Sequence, residues 1–329
     1  MRICASIFFQ IVVLQYAAIL KAQDLPVPRF QPALVYDETD SRVILFGGME
    51  FDGNHLSDVW FLDEGRWKPL SSSHEVARSG HAMAYDDIRK KVVVFGGMNG
   101  TGPQRDTWEY DDGHWTKVEA NQLPALVGAQ LVYDKISKDV VLFGGLDVER
   151  QVNIGLTWAF DGRSWRQVSE SGPQRRFHHT MAYDHNRKRI VLFGGNVSEG
   201  QFTMAKYKES QRGDTWEWDG VSWKEIAVSG PSPRDHHAMA YDPDRKRIVL
   251  FGGFDGTYLD DTWEYDGIAW MKREVKGPDA RGGKPGMVYD KKNKRMVLFG
   301  GGVGGGTDLV PKAMNDTWSW DGKKWEVIQ

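Results

Sequence analysis

The stretch MAYDPDRKRIVLFGG, residues 239–253, contains an alternating apolar and polar run, a charged turn and a continuous apolar run that ends in two glycines. Its Tyr-Asp step, followed by Gly-Gly eleven residues after the tyrosine, occurs six times in the chain with unchanged spacing. The tyrosines are Tyr36, Tyr85, Tyr133, Tyr183, Tyr241 and Tyr289, and the glycine pairs begin at Gly47, Gly96, Gly144, Gly194, Gly252 and Gly300. Alternation with period two indicates β-strands. The stretch therefore predicts a β-hairpin that is repeated six times.

Two tryptophans, seven residues apart, follow each glycine pair. They are Trp60 and Trp67, Trp108 and Trp115, Trp158 and Trp165, Trp216 and Trp223, Trp263 and Trp270, and Trp318 and Trp325. The first lies in an alternating run such as DTWEYD, and the second begins a shorter run such as SWKEI. Asp-Gly pairs at 161, 219, 266 and 321 separate these runs, and glycine permits the positive φ of a tight hairpin. Each repeat is therefore predicted to be an antiparallel sheet of four strands, A to D.

A single sheet with apolar residues on both faces cannot be stable in water, because both faces must be covered. Stacking of each sheet on the next around a ring covers them and leaves only short edges. A repeat period of about 50 residues is typical of such propellers. We predict one domain at 23–329, with blades at 29–77, 78–125, 126–175, 176–233, 234–281 and 282–329.

The glycine doublet after an apolar strand and the spaced aromatic residues resemble the Kelch repeat, over about residues 29–329. The resemblance implies an all-β, six-bladed Kelch β-propeller with four antiparallel strands per blade, strand A lying nearest a central channel. The chain begins a strand A at PALVYD and ends a strand D at KWEVIQ. Blade six is therefore expected to meet blade one through side-chain packing alone, without a shared sheet.

Residues 1–22 have the order of an export signal: Arg2, an apolar run from Ile7 to Leu20, and small Ala22. We predict cleavage after Ala22 and a secreted or periplasmic monomer without a membrane span, an uncleaved anchor being the alternative. The one cysteine, Cys4, lies in that segment, so no disulfide is expected. Loss of Arg2 and Lys21 changes the net charge from −3 to −5, which argues against nucleic acid as a partner.

The connections between strands B and C vary most in length, and those of blades four and six are the longest. They should rise from the same face of the ring, because B–C and D–A connections share one end of an antiparallel blade. Variable loops on a constant framework are typical binding elements, although long insertions are also tolerated without a function. The partner-binding candidates in these loops are Lys206, Tyr207, Lys208, Arg212 and Asp308.

The D–A connections of blades two, four and five carry arginine and histidine at equivalent positions near the predicted channel mouth. These residues are Arg78, His81, Arg176, His178, His179, Arg234, His236 and His237. Guanidinium groups pair well with carboxylates and phosphates, so these residues are candidates for a site that binds an anionic ligand. The alternative is a structural role in which they bond the carbonyls of neighbouring blades. The spacing gives no metal signature, and no metal or cofactor is predicted.

The chain contains no Gly-x-Ser-x-Gly, His-Glu-x-x-His or phosphate-loop motif. We therefore predict a non-catalytic module that binds a protein or a carbohydrate through the B–C/D–A face. The alternative is an enzyme acting on an acidic sugar at the channel mouth, similar to N-acetylneuraminate epimerases of the Kelch type. The sequons at Asn99, Asn196 and Asn315 lie in B–C loops and would accept glycans only in a eukaryotic secretory cell. The basic A–B tips, such as residues 187–189, are expected to be solvated.

Overall fold

Six four-stranded antiparallel sheets follow one another in the computed structural model, which describes residues 25–120, 123–199, 203–304 and 311–329. Strands A to D of blade one are Ala33–Asp37, Arg42–Phe46, Asp58–Asp63 and Arg66–Ser72, and those of blade two are Ala82–Asp86, Lys91–Phe95, Thr107–Asp111 and His114–Val118. Those of blade three are Gln130–Asp134, Asp139–Phe143, Thr157–Phe160 and Trp165–Ser169, and those of blade four are Thr180–Asp184, Arg189–Phe193, Thr215–Trp218 and Trp223–Ile226. Those of blade five are Ala238–Asp242, Arg247–Phe254, Tyr258–Tyr265 and Trp270–Arg273, and those of blade six are Gly286–Asp290, Arg295–Phe299, Thr317–Trp320 and Trp325–Val327. The predicted all-β Kelch propeller is confirmed.

Short elements occupy the loops. Small ribbons pair Met98–Asn99 with Gly102–Pro103, Leu146–Asp147 with both Leu126–Val127 and Val152–Asn153, and Gly302–Val303 with Lys312–Ala313. A 3-10 turn covers His74–Val76, and a short α-helix, Met204–Glu209, lies in the long B–C loop of blade four. The sequence pattern predicted no helix there. The Thr203 hydroxyl caps the helix by accepting a hydrogen bond from the Lys206 N–H. The predicted signal segment, 1–22, lies outside the described residues.

The ring is closed, because strand A of every blade contacts strand A of both neighbours, including the pair formed by blades one and six. At that seam one apolar cluster joins Tyr36 and Trp67 of blade one to Phe299 of blade six. Hydrogen bonds also cross it: the Gly301 N–H donates to the Arg29 carbonyl at 2.9 Å. The two blades have separate sheets, but the expectation of side-chain packing alone is corrected by these backbone bonds.

The second tryptophan of a blade is anchored in the preceding blade. Its indole N–H donates to a buried threonine there, in the pairs Trp67–Thr317, Trp165–Thr107, Trp223–Thr157, Trp270–Thr215 and Trp325–Thr262, at 2.8–2.9 Å. Blade one has Val59 at the threonine position, and the Trp115 indole nitrogen of blade two has no partner within the described ranges. The repeated tryptophans thus join blades by hydrogen bonding as well as by burial.

Thr262→Val should lower the free energy of unfolding by about 1–3 kcal/mol, because it leaves the buried indole N–H of Trp325 without an acceptor. Chemical denaturation followed by tryptophan fluorescence measures this loss. Val59→Thr is the matched control, since it offers an acceptor to Trp115 at the equivalent seam, and it should cost nothing or stabilise the protein. Equal losses in the two variants would contradict the anchoring role of the threonines.

The glycine doublet sets the distance between neighbouring blades. The Gly195 N–H donates to the Arg234 carbonyl of blade five at 2.9 Å. A Cβ at Gly194 would lie 2.6 Å from that same carbonyl oxygen, and Gly194 has a φ of 67°. Only glycine avoids both problems. The doublet therefore brings each D–A connection against the B–C connection of the preceding blade on one face of the ring.

The basic A–B tips are not merely solvated. Arg187 bonds to Asp184 and Glu217 within its own blade, and its guanidinium lies 5.3 Å from the ring centroid of Tyr265 in the next blade. Arg89 and Arg245 make equivalent contacts with Phe160 and Trp320. These three arginines therefore help to join blades on the A–B face.

Candidate functional site

The D–A arginines predicted to receive an anion are used inside the fold. Arg176 is fully buried, and its guanidinium donates to both carboxylate oxygens of Asp214 at 2.6 and 2.7 Å and to the Gly194 carbonyl at 2.9 Å. The same arrangement is made by the pairs Arg29–Asp58, Arg78–Asp106, Arg234–Asp261 and Arg281–Asp316. Arg78, Arg176 and Arg234, the candidates for an anion-binding site, thus have their guanidinium groups paired inside the fold, which is the structural alternative.

The sequence contains two signs of this arginine-aspartate pair that were not used in the prediction. Blade six has an extra residue, so Arg281 precedes its tyrosine by eight residues instead of seven. The aspartate partner lies two residues before the first tryptophan of each blade that has the arginine. Blade three lacks both, with Leu126 and Leu156 in their places. Each blade therefore has either both the arginine and the aspartate or neither of them. This correlation within one sequence could have revealed the ion pair.

Burial alone would raise the pKa of Asp214, but the hydrogen bonds and the charge of Arg176 outweigh it and hold the pKa below its ordinary value. Asp106, Asp261 and Asp316 are lowered in the same way by their arginines. The carboxylates are therefore ionised at neutral pH and compensate the buried guanidinium charges.

His81, His179 and His237 are also buried, beside the glycine doublet of the preceding blade. Each ring packs against the phenylalanine before that doublet, with centroid distances of 5.1–5.5 Å. Burial, followed by the nearby arginine charge, holds the pKa of each imidazole well below its ordinary value. The three residues are therefore neutral packing groups at pH 7, and His237 also contacts the Thr180 hydroxyl through Nε2 at 2.5 Å.

The channel mouth on the B–C/D–A face is formed by one position from each blade, all with positive φ. These residues are Gln31, Gly80, Gly128, His178 and His236, with Gly283 and Lys284 together in blade six. Backbone hydrogen bonds join neighbouring blades here, for example from the His178 N–H to the Gly128 carbonyl at 2.9 Å and from the Lys284 N–H to the His236 carbonyl at 3.1 Å. The mouth is therefore a rigid backbone rim that carries glutamine, histidine and lysine side chains on one side and glycine on the other.

His178 and His236 are the predicted site residues that the structure brings together at this rim. Their ring centroids are 3.8 Å apart, and Nδ1 of His236 lies 2.8 Å from the buried carboxylate of Asp235. Burial lowers the pKa of His178 well below its ordinary value, and the neighbouring His236 and Lys284 add to the effect. Lys284 was not among the predicted residues, because blade six lacks the arginine-histidine spacing that identifies the others.

An aromatic groove of about 320 Å³ opens beside this rim. It is lined by Phe30, Gln31, Met49, Met204, Tyr207, His236, Phe254, Tyr258, Gly283, Gly302 and Gly304. The long loop of blade four supplies one wall, because Tyr207 turns inward and packs with Phe177 and Phe254. The Tyr258 hydroxyl accepts a hydrogen bond from the Gly304 N–H at 2.6 Å and fixes another wall. The groove and the histidine rim are continuous through His236.

The other loop candidates have different surroundings. Tyr207 is only 7% exposed and supports the groove instead of projecting from the loop. Lys206 and Lys208 are exposed, and Lys206 donates to the Glu199 carbonyl at 2.7 Å. Arg212 bonds to the Gln174 side chain at 3.2 Å. Asp308 lies outside the described residues.

Asn196 is unsuited to glycosylation because it is fully buried, and its amide donates to the Tyr207 carbonyl at 2.9 Å. Asn315 is exposed and Asn99 is half-buried. The sequon at Asn196 therefore serves the fold of the blade-four loop.

The opposite end of the channel has its charges paired. There a cavity of about 250 Å³ is rimmed by Lys135, which bonds to Asp87 at 2.7 Å, and by Lys291, which bonds to Glu38.

In the described ranges no cluster of three or more His, Cys, Asp or Glu is arranged to hold a metal ion. Within the same ranges, no helix has the length and apolar character needed to cross a membrane.

Comparison with known proteins agrees with this architecture. The family model described as the KLHDC2/KLHL20/DRC7 Kelch-repeats domain matches residues 5–125 and 112–269. A segment of 50 residues, 15% of the chain, is 38% identical to Dynein regulatory complex subunit 7 of Chlamydomonas reinhardtii and covers 4% of that protein. The solved "Structure of YjhT" superposes with a TM-score of 0.70 over 92% of this chain and 98% of that one, at 16% identity, which supports the fold alone. The chain belongs to the Kelch-repeat family.

Proposed function

We propose that this protein is a non-catalytic interaction module that binds a protein partner on its B–C/D–A face, in the aromatic groove beside the channel mouth. The observation that carries the proposal is the groove itself, in which the longest described loop turns its tyrosine inward and completes an apolar wall. Kelch domains generally mediate protein binding, and this supports a protein as the occupant.

The groove has the features of a peptide-binding surface. Aromatic side chains and methionine supply most of its walls, and His236 and Gln31 supply polar groups at its inner end. Aromatic and methionine side chains are enriched where proteins bind each other. Gln31 and His236 have φ values of 53° and 55°, and the backbone bonds of the rim hold them in this costly conformation. The polar end of the groove is therefore pre-organised.

Met204→Glu should weaken partner binding by about tenfold or more, because it introduces a charge into an apolar contact. Met204 is 45% exposed, so the substitution should leave the fold intact. A partner captured with the wild-type protein is identified by mass spectrometry, and its Kd is then measured for each variant by biolayer interferometry.

The matched control is Val221→Glu, at a residue that is 78% exposed on a C–D turn of the opposite face. Its Kd should equal that of the wild type. Equal affinity of Met204→Glu and wild type would reject the groove as the binding surface. A glycan array with the same two variants tests a carbohydrate as the occupant.

The second candidate function is an enzyme acting on an acidic sugar at the mouth. Arg78, Arg176 and Arg234 do not support it, because they are paired with aspartates, but the adjacent imidazoles of His178 and His236 can donate hydrogen bonds to an anionic small molecule at the rim. NMR spectroscopy of N-acetylneuraminate tests it, since an active protein must accelerate interconversion of the anomers over buffer. Equal rates with and without protein would reject that activity.

Export and a monomeric state belong to the same proposal. Mass spectrometry of protein from the native source should find Gln23 as the first residue, and light scattering should give the mass of one chain. An intact Met1 in secreted material, or a dimer mass, would contradict these expectations.

A further inference from the structure

A small, partly open cavity lies in the channel just beneath the histidine rim, separate from the aromatic groove. Its volume is about 70 Å³, much smaller than that of the groove. Its polar lining comes from His81, Gln130, Thr180, His237 and Lys284, and no aspartate or glutamate contributes to it. The remaining lining is proline, alanine, glycine, leucine and methionine.

Lys284 extends across the channel from blade six towards blade two. Its ammonium makes one long contact, 3.4 Å to the His81 carbonyl, and no ion pair with a carboxylate within the described ranges. The five D–A arginines, by contrast, are each paired with an aspartate. A charge partly removed from water without a counter-ion is costly, so the half-buried Lys284 differs from these arginines.

Buried nitrogen atoms without hydrogen-bond partners surround the same cavity. The Gln130 amide nitrogen, both ring nitrogens of His81 and Nδ1 of His237 are buried and have no partner in the parts of the chain that the structure describes. His81 is 2% exposed and His237 is fully buried. The Thr180 hydroxyl, which could accept from one of them, already contacts Nε2 of His237. A neutral imidazole has one N–H donor, so His81 and Gln130 both bring unmatched N–H donors to a cavity that also contains the Lys284 ammonium and no carboxylate.

We propose that this cavity binds a small monovalent anion, of halide or formate size, held by the Lys284 ammonium and the Gln130 amide. The anion would supply the missing counter-charge and accept hydrogen bonds from donors that otherwise lack partners. The site goes beyond the proposed function, because it lies under the rim and does not use Met204, Phe254 or Tyr258. Failure of one proposal leaves the other intact.

Thermal unfolding of the whole chain at constant ionic strength and pH 7 tests the site, with sodium gluconate replaced by sodium chloride or sodium formate. Gluconate is too large for the cavity. At about 100 mM chloride or formate the midpoint should rise by about 3 °C or more over gluconate. Lys284→Met should abolish the rise, whereas Lys206→Met, at an exposed lysine of the same face, should retain it.

An unchanged anion effect in Lys284→Met, or no effect in the wild type, would overturn the proposal. If Lys284→Met does not fold, chloride NMR of the wild type decides: the protein should broaden the chloride line, and formate should reverse the broadening. A bromide-soaked crystal should show an anomalous peak in contact with Lys284 and Gln130. Peaks confined to surface residues would mean an adventitious ion only and would also overturn it.

Discussion

Asp214→Leu is expected to lower the free energy of unfolding by about 3–5 kcal/mol, because it leaves the fully buried guanidinium of Arg176 without a counter-charge. The substitution also removes the acceptor of the Trp216 indole N–H, which bonds to Asp214 at 2.7 Å. Chemical denaturation measures the loss. It should be among the largest that a single substitution causes in this protein.

The double variant Arg176→Leu/Asp214→Leu is the informative control. Blade three already has leucine at both positions, so the architecture accommodates the uncharged pair. The double variant should therefore lose less stability than Asp214→Leu alone, although the Gly194 carbonyl loses its guanidinium donor. A double variant at least as unstable as Asp214→Leu would mean that charge compensation is not the reason for the pairing.

The free energy of unfolding of the wild type should rise relative to that of Lys284→Met between about pH 8 and pH 10.5. Burial lowers the pKa of Lys284 from its ordinary 10.5 to about 8. In that window the unfolded chain binds more protons than the folded protein, so stability increases with pH. The difference in free energy of unfolding should increase by up to about 3 kcal/mol over this window, because each unit of pKa difference between the folded and unfolded states corresponds to about 1.36 kcal/mol.

Denaturation of both proteins at pH 7, 8, 9 and 10 in gluconate gives the comparison. The Lys284 charge acts on His81 of blade two and on His178 and His179 of blade four, and His236 and His237 of blade five lie next to it at the rim and in the cavity. The pKa values of His81, His178, His179 and His237 are lowered, so these residues do not titrate above pH 8. The tyrosines are common to both proteins and cancel in the difference. A constant difference from pH 7 to pH 10 would contradict an uncompensated Lys284 whose pKa is lowered in the folded protein.

The fold followed from spacing alone because every repeat obeys the same constraint. The glycine doublet must pass close to a carbonyl of the next blade, and the second tryptophan must reach into the preceding one. Such requirements fix residue type and position together, and so they are visible in a single sequence. The extra residue before Tyr289 shows the limit, since counting back from the tyrosine missed Arg281.

The site was less predictable because spacing locates a residue but not the direction of its side chain. Arg176, His178 and His179 lie within four positions, yet the arginine enters the blade, one histidine reaches the rim and the other fills the seam. The backbone has a positive φ at His178, His236 and Lys284, and this turns their side chains away from those of the neighbouring residues. Histidine and lysine are not residue types that indicate a positive φ. Tyr207 was likewise expected to be an exposed loop residue, but it lies on the buried side of the helix Met204–Glu209.

Photo-crosslinking from the two faces of the ring tests most directly the claim that the groove is the partner-binding surface. A benzophenone amino acid is placed at Met204, beside the groove, or at Ile268, which is 78% exposed on the opposite face. We expect one partner protein to cross-link from position 204 and not from position 268. Cross-linking of that partner from position 268, or from neither position, would contradict it.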